Sequence, residues 1–274
     1  MVVIIKGAGD IASGIAVRLF HAGFSIVMTE IAAPLSVRRT VSFSQAVYDG
    51  TATVETITGV LVKDESEIPR TLEQNQIAVL VDPEARTAAS LKPPILIDAI
   101  MAKKNTGTSI TDSPLVIGIG PGFTAGIDCH GVIETMRGHT LGRVITKGRA
   151  FPNTGVPGSI GGYTIERLLC CGADGIFEAK AEISAMVQKG DVVGLVHHNS
   201  GSVPVCAEIN GVLRGLLPSG TIVAKGLKAG DIDPRCEVSH CFTVSDKTLA
   251  IGGGVLEAIM RFIPLSGALW HESA

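Results

Sequence analysis

Six short, nearly uninterrupted aliphatic runs, at residues 2–5, 25–29, 60–62, 77–81, 95–97 and 115–119, punctuate the first half of the chain, with helical spacing between several of them. Such runs suit strands buried on both faces, so they predict a parallel sheet sandwiched between helices. The core must be aliphatic, because only 4% of the 274 residues are aromatic while 46% are hydrophobic. That balance excludes a disordered chain. Lys and Arg total 23 against 26 Asp and Glu, and no basic run stands out, so nucleic acid is not an expected partner. Nor is a membrane, since every apolar run falls far short of the ~20 residues of a spanning helix. The amino-terminal run lacks the basic start of a signal peptide, which predicts a cytoplasmic protein with six reduced cysteines.

The first strand leads into Gly7-Ala8-Gly9-Asp10-Ile11-Ala12, after which Ile11, Ile15, Leu19 and Phe20 form one helical stripe closed by Gly23. Gly7-x-Gly9-x-x-Ala12 between a strand and a helix matches a dinucleotide-binding turn. Gly7 would permit the turn, Gly9 the approach of a phosphate, and the helix start would offer free amides. Glu30, 21 residues after Gly9, ends the second strand where an acidic side chain would meet ribose hydroxyls. Asp10 counts against this reading, because its charge would sit beside the phosphates; a plain βα turn competes with it. A second glycine turn, with Gly120 and Gly122 around Pro121, follows the sixth run and is another candidate cradle. Arg38 and Arg39 have the fork geometry to grip an anion. His130, Glu134 and His139 crowd proton-carrying groups into a short segment and are the catalytic candidates. The polar loop at 153–158 is of the kind that surrounds a site. Asp231, Asp233 and Arg235 read as an ion-pair corner. No metal site is predicted, since the Cys and His spacings match no zinc pattern.

Near residue 180 the pattern changes to turn glycines followed by short apolar strands, repeated at an offset of 30 residues (Gly190 and Gly220). These half-motifs resemble the barrel-sandwich fold of biotinyl and lipoyl domains, although the segment 195–208 has no lysine to modify. The expected architecture is therefore α/β: a Rossmann-like, mostly parallel sheet over 1–180, an inserted or appended barrel-sandwich β domain over 181–235, and a C-terminal segment and helix, 236–274, packing back on the first domain. The run Gly252-Gly253-Gly254 reads as the lead into that last helix.

Taken together, Gly7 to Gly14, Pro34 to Thr40, Gly120 to Phe123, Arg137-Gly138-His139, Asn153-Thr154-Gly155, Asp231 to Arg235 and Ile251 to Ala258 resemble the selenium-dependent molybdenum hydroxylase accessory proteins of the YqeB type. The resemblance spans nearly the whole chain. It implies an accessory protein for maturation of a selenium-dependent molybdenum hydroxylase, with that hydroxylase as client and a small phosphate-bearing ligand in the glycine-rich crevice. NAD(P) or the nucleotide of a molybdenum cofactor would be the cofactor, and a homo-oligomer is compatible with it. The alternatives are a non-catalytic cofactor chaperone or docking module, and a nicotinamide-dependent oxidoreductase. The last lacks a Tyr/Lys pair, since Arg167 stands four residues after Tyr163.

Overall fold

The structure, a computed structural model, describes residues 1–263. Strand β1 (Val2–Lys6) passes through the glycine turn at 7–9 into helix α1 (Asp10–His21) and returns as β2 (Ser25–Glu30). Alternation decides which side each β1 residue covers: Val3 and Ile5 pack with Ile15 and Leu19 of α1, while Ile4 enters the core on the opposite face. The chain then builds α2 (Ala46–Asp49), β3 (Thr51–Val54), β4 (Ile57–Leu61), α3 (Ile68–Glu73), β5 (Ile77–Val81), α4 (Thr87–Leu91), β6 (Ile95–Asp98), β7 (Leu115–Ile119), β8 (Gly131–Ile133) and β9 (Val144–Ile145).

These nine strands form one sheet in the order β3-β4-β5-β2-β1-β6-β7-β8-β9. Neighbours are parallel except at the two edges, where β3 with β4 and β8 with β9 are antiparallel. The expected Rossmann-like domain with a biotinyl-type barrel-sandwich is corrected on this point to a mixed sheet accompanied by two antiparallel sheets. The difference has a physical source. The connections at 99–114 and 120–130 are rich in Gly, Asn, Ser, Thr and Asp, which favour turns, and they carry no helix. Cover for β7, β8 and β9 comes instead from α5 (Asp246–Phe262), far away in sequence.

Helices α1 and α5 lie side by side and in the same direction. A β-carbon on Gly14 of α1 would stand 2.3 Å from the Thr248 side chain, and one turn further on a β-carbon on Gly252 would stand 2.9 Å from Arg18. The glycines are what allow the two backbones to approach. Ser245 caps α5 by accepting from the Thr248 amide at 3.2 Å.

The remaining strands are β10 (Leu168–Cys170), β11 (Gly175–Ala179), β12 (Met186–Val187), β13 (Val192–His198), β14 (Gly201–Cys206), β15 (Gly211–Leu216), β16 (Ile222–Val223) and β17 (Lys228–Asp233). They form two four-stranded sheets, β10-β17-β15-β12 and β14-β13-β11-β16, around a second aliphatic core that includes Phe177, Leu213 and Leu216. Gly190 and Gly220 both adopt left-handed turn conformations, φ 99° and 87°. Ile165–Arg167 make one 3-10 turn leading into β10, and Arg167 turns inward. The small sheets are tied to the large one through residues 37–39: the Leu216 amide donates to the Val37 carbonyl at 2.8 Å, and Arg39 Nε donates to the Leu216 carbonyl at 2.8 Å. Among the described residues no helix is long and apolar enough to cross a membrane.

Candidate functional site

The carboxyl ends of β1, β2, β5 and β6 open onto a cleft of about 550 Å3. Its floor is the first glycine turn. Gly7 has φ 90°, and a β-carbon there would press on the Ala99 carbonyl at 3.1 Å, so only glycine fits. Glu30 clamps the turn, accepting from the Ala8 amide at 2.9 Å and from its neighbour Ile31 at 2.8 Å. Burial raises the Glu30 carboxyl above its ordinary pKa, against the pull of those two amides. Gly9 precedes the helix in extended conformation, and no side chain caps it. Among the described residues nothing accepts from the amides of Gly9, Asp10, Ile11 and Ala12, so the helix start faces the cleft with its donors free.

Of the predicted binding set, Gly7, Gly9, Asp10 and Glu30 therefore line one cleft, while the Ala12 methyl is buried beneath it. The arginines do not face it. Arg38, only 5% exposed, donates to both Asp10 carboxylate oxygens at 3.1 and 3.2 Å and to the His240 and Thr243 carbonyls at 3.0 and 3.1 Å. Arg39 is spent on the Leu216 carbonyl. The second glycine turn is filled by protein: β-carbons on Gly120 and Gly122 would stand 2.7 Å from Thr135 Oγ1 and 2.8 Å from the Lys104 backbone. Its Pro121 instead borders a hollow of about 400 Å3 that shares Met101 with the cleft. Lys103, Arg137, Lys247 and the 153–158 loop line that hollow. Burial lowers the pKa of Lys247, and the nearby Arg137 charge lowers it further.

The three catalytic candidates are not brought together. His130 sits at the amino end of β8, where its Nδ1 accepts from the Val116 amide at 3.0 Å and its ring packs edge-on against Phe262. Glu134, at the opposite end of the same strand and 2% exposed, is occupied by the amides of Thr135, Met136 and Phe151 at 2.7 to 2.8 Å. It organises the loop around it. His139 lies on the surface of that loop.

Sequence reading missed two buried polar groups near these strand ends. Lys6, Asp98 and Thr108 form one: Lys6 Nζ donates to Thr108 Oγ1 at 2.6 Å, which donates to Asp98 Oδ2 at 2.6 Å. The other is an arginine-aspartate lattice between the large and small sheets. Asp231 accepts from Arg167 and Arg214, and Asp233 from Arg214 and Arg235. Burial works to raise the Asp233 carboxyl, but hydrogen bonds from Arg235 and the charges of Arg214 and Arg235 outweigh it and hold it at about 2. The corner at 231–235 was legible in sequence, whereas Arg167 and Arg214 carried no local signal.

The cysteines divide by burial. Cys129, Cys171 and Cys241 are buried, and burial pushes the Cys129 thiol up to about 11, which leaves it unreactive as a nucleophile. Timed labelling with iodoacetamide read by peptide mass spectrometry should modify the exposed Cys170 and Cys236 first and leave the three buried thiols protected until the protein is denatured. Early labelling of Cys129 would contradict this burial.

No protein-family model matches the chain. It is 49% identical over 261 residues to the "Uncharacterized protein YqeB" of Escherichia coli K12, a match that covers 95% of the chain and 48% of the relative. The chain thus spans about half the length of the curated relative it matches. Among solved structures, an aspartoacylase family protein from Mesorhizobium loti is 10% identical with 84% of each chain covered and a TM-score of 0.29. The product-bound ectoine utilization protein EutE (DoeB) from Ruegeria pomeroyi is 12% identical, with 76% of this chain and 57% of that one covered and a TM-score of 0.24. At these TM-scores neither fold nor activity transfers. The expected role in maturing a selenium-dependent molybdenum hydroxylase is corrected on this point: the name of the relative assigns no such role. What the relationship does support is a YqeB-type family for this chain.

Proposed function

We propose that the chain binds a small phosphate-bearing ligand in the cleft at the carboxyl ends of the parallel strands. The observation that carries this reading is the row of free amides at Gly9, Asp10 and Ile11, at the head of a twelve-residue helix and in the lining of a cleft of about 550 Å3. Amides and helix dipole together favour an anion there. The Asp10 carboxylate would oppose it, but Arg38 grips both of its oxygens and offsets most of its charge. Glu30 and Asp82, which also line the cleft, are acceptors suited to ligand hydroxyls. Among the described residues the cleft lining holds no basic side chain; Lys103 and Lys247 supply cations in the adjoining hollow, where Arg137 is paired with Asp246.

Calorimetric titration with pyrophosphate tests the reading. Gly9→Val keeps a backbone that any residue can adopt, and its β-carbon meets only the rotatable Ser36 hydroxyl at 2.9 Å, yet its methyl groups cover the free amides. Saturable binding to the wild type, weakened by about tenfold or more in Gly9→Val with unchanged circular dichroism, is expected. Equal binding by the two proteins, or none by the wild type, would remove the reading.

A further inference from the structure

The Asp10–Arg38 pair separates the cleft from a smaller pocket of about 190 Å3 at the seam between the large sheet and the small ones. We infer that this pocket is an oxyanion site that takes one phosphate group, either free or as the end of a larger ligand. Arg38, Arg214, Arg235 and His240 line it. Two buried nitrogens in its lining make no hydrogen bond: Arg38 Nε, on a residue that is 5% exposed, and His240 Nδ1, which lies 3.8 Å from Asp233 Oδ2. Arg235 uses Nε and Nη2 on Asp233, which leaves Nη1 to spare. A buried nitrogen without a hydrogen bond has lost its water and gained nothing, so a site that collects two of them around a hollow is incomplete as protein alone.

Charge points the same way. Five arginines, Arg38, Arg137, Arg167, Arg214 and Arg235, meet four aspartates, Asp10, Asp231, Asp233 and Asp246, and Glu55, which accepts from the Val244 amide at 3.0 Å. The guanidinium groups are joined by the start of α5, whose cap Ser245 and first residue Asp246 also line the pocket. Because α1 and α5 run in parallel, their positive ends lie together, an arrangement that repels unless negative charge is placed between them. Asp10 and Asp246 in the two first turns supply part of it, and both are already held by arginine. The volume of about 190 Å3 has room for a tetrahedral oxyanion together with several waters.

Orthophosphate is the probe, read by calorimetry and by the thermal midpoint at constant ionic strength. The wild type should bind orthophosphate and be stabilised as its concentration rises to about 20 mM, beyond the effect of sodium chloride. Arg235→Gln keeps Asp233 paired to Arg214 and should weaken binding by about tenfold or more. His240→Gln, which removes an imidazole that holds up no other element, should weaken it as well. In a Gly9→Val background, which covers the neighbouring cleft, orthophosphate binding should persist and Arg235→Gln should still weaken it, which separates this site from the pyrophosphate site above. The inference is overturned if sodium chloride stabilises as much as phosphate, if both pocket variants bind like the wild type, or if Gly9→Val alone abolishes orthophosphate binding.

Discussion

Asp231→Asn should lower the stability of the protein by about 3–5 kcal/mol, the cost of breaking a buried ion pair from one side. Asp231 is 2% exposed and faces two guanidinium groups that are themselves almost fully buried, Arg167 at 4% and Arg214 at 8%. Its Oδ1 accepts from Arg167 Nη1 at 3.3 Å, and its Oδ2 accepts from Arg214 Nε at 2.8 Å and from Arg214 Nη2. Asparagine keeps the shape and removes the charge. Arg214 retains Asp233 at 3.3 Å, but Arg167 retains only a long bond to the Gly158 carbonyl at 3.4 Å, and its Nε has no partner even in the native protein. The loss therefore falls mainly on Arg167. A second change, Arg167→Met, should recover a large part of it, because an apolar side chain of similar length is cheaper to bury than an uncompensated guanidinium. Urea unfolding followed by far-ultraviolet circular dichroism measures both variants. A loss under about 1 kcal/mol for Asp231→Asn would show that water reaches the lattice and that its charges act as surface pairs.

The lattice also marks where sequence reading succeeds and where it stops. Aliphatic runs announce buried strands because a strand's burial is written in its own residues, and the first glycine turn announces a cleft because strand, turn and helix are consecutive. Asp231 and Asp233 were recognisable as an ion-pair corner for the same local reason. Arg38 was read as a ligand-facing group, yet it spans from Asp10 to the carbonyls of His240 and Thr243, contacts about 200 residues away that no local pattern encodes. His130, Glu134 and His139 are catalytic candidates by proximity in sequence, but β8 lies between the first two and holds them at its opposite ends. A C-terminal helix packed back on the first domain is expected from sequence, but not its place over the helix-poor second half of the large sheet, because residues 246–262 lie far from those strands in sequence.

The run Gly252-Gly253-Gly254 was read as the approach to a helix, and it is instead the middle of α5, where three glycines cost helix stability. Packing explains two of them, and the contrast among the three yields a paired expectation. A β-carbon on Gly254 would stand 2.0 Å from the Gly142 carbonyl oxygen and 3.0 Å from Ile133. The first contact is backbone, so no rotamer change relieves it; either α5 or the loop after β8 must move. Gly142 is pinned in turn, since its own β-carbon would meet the Ala250 carbonyl at 2.5 Å and its amide donates to the Glu134 carbonyl at 2.9 Å. Gly254→Ala should therefore destabilise by about 2–3 kcal/mol, the range of an overpacked core. It should also loosen the bidentate Arg137–Asp246 pair, which joins the displaced loop to the start of α5 at 2.7 and 2.9 Å. Gly253 has nothing within 4 Å of its β-carbon position. Gly253→Ala should then stabilise by about 0.5–1 kcal/mol, because alanine gains helix propensity and meets no obstacle. Thermal and urea midpoints of the two neighbouring variants settle the matter: shifts of the same sign would mean that the spacing between α5 and the loop is not what requires glycine at 254.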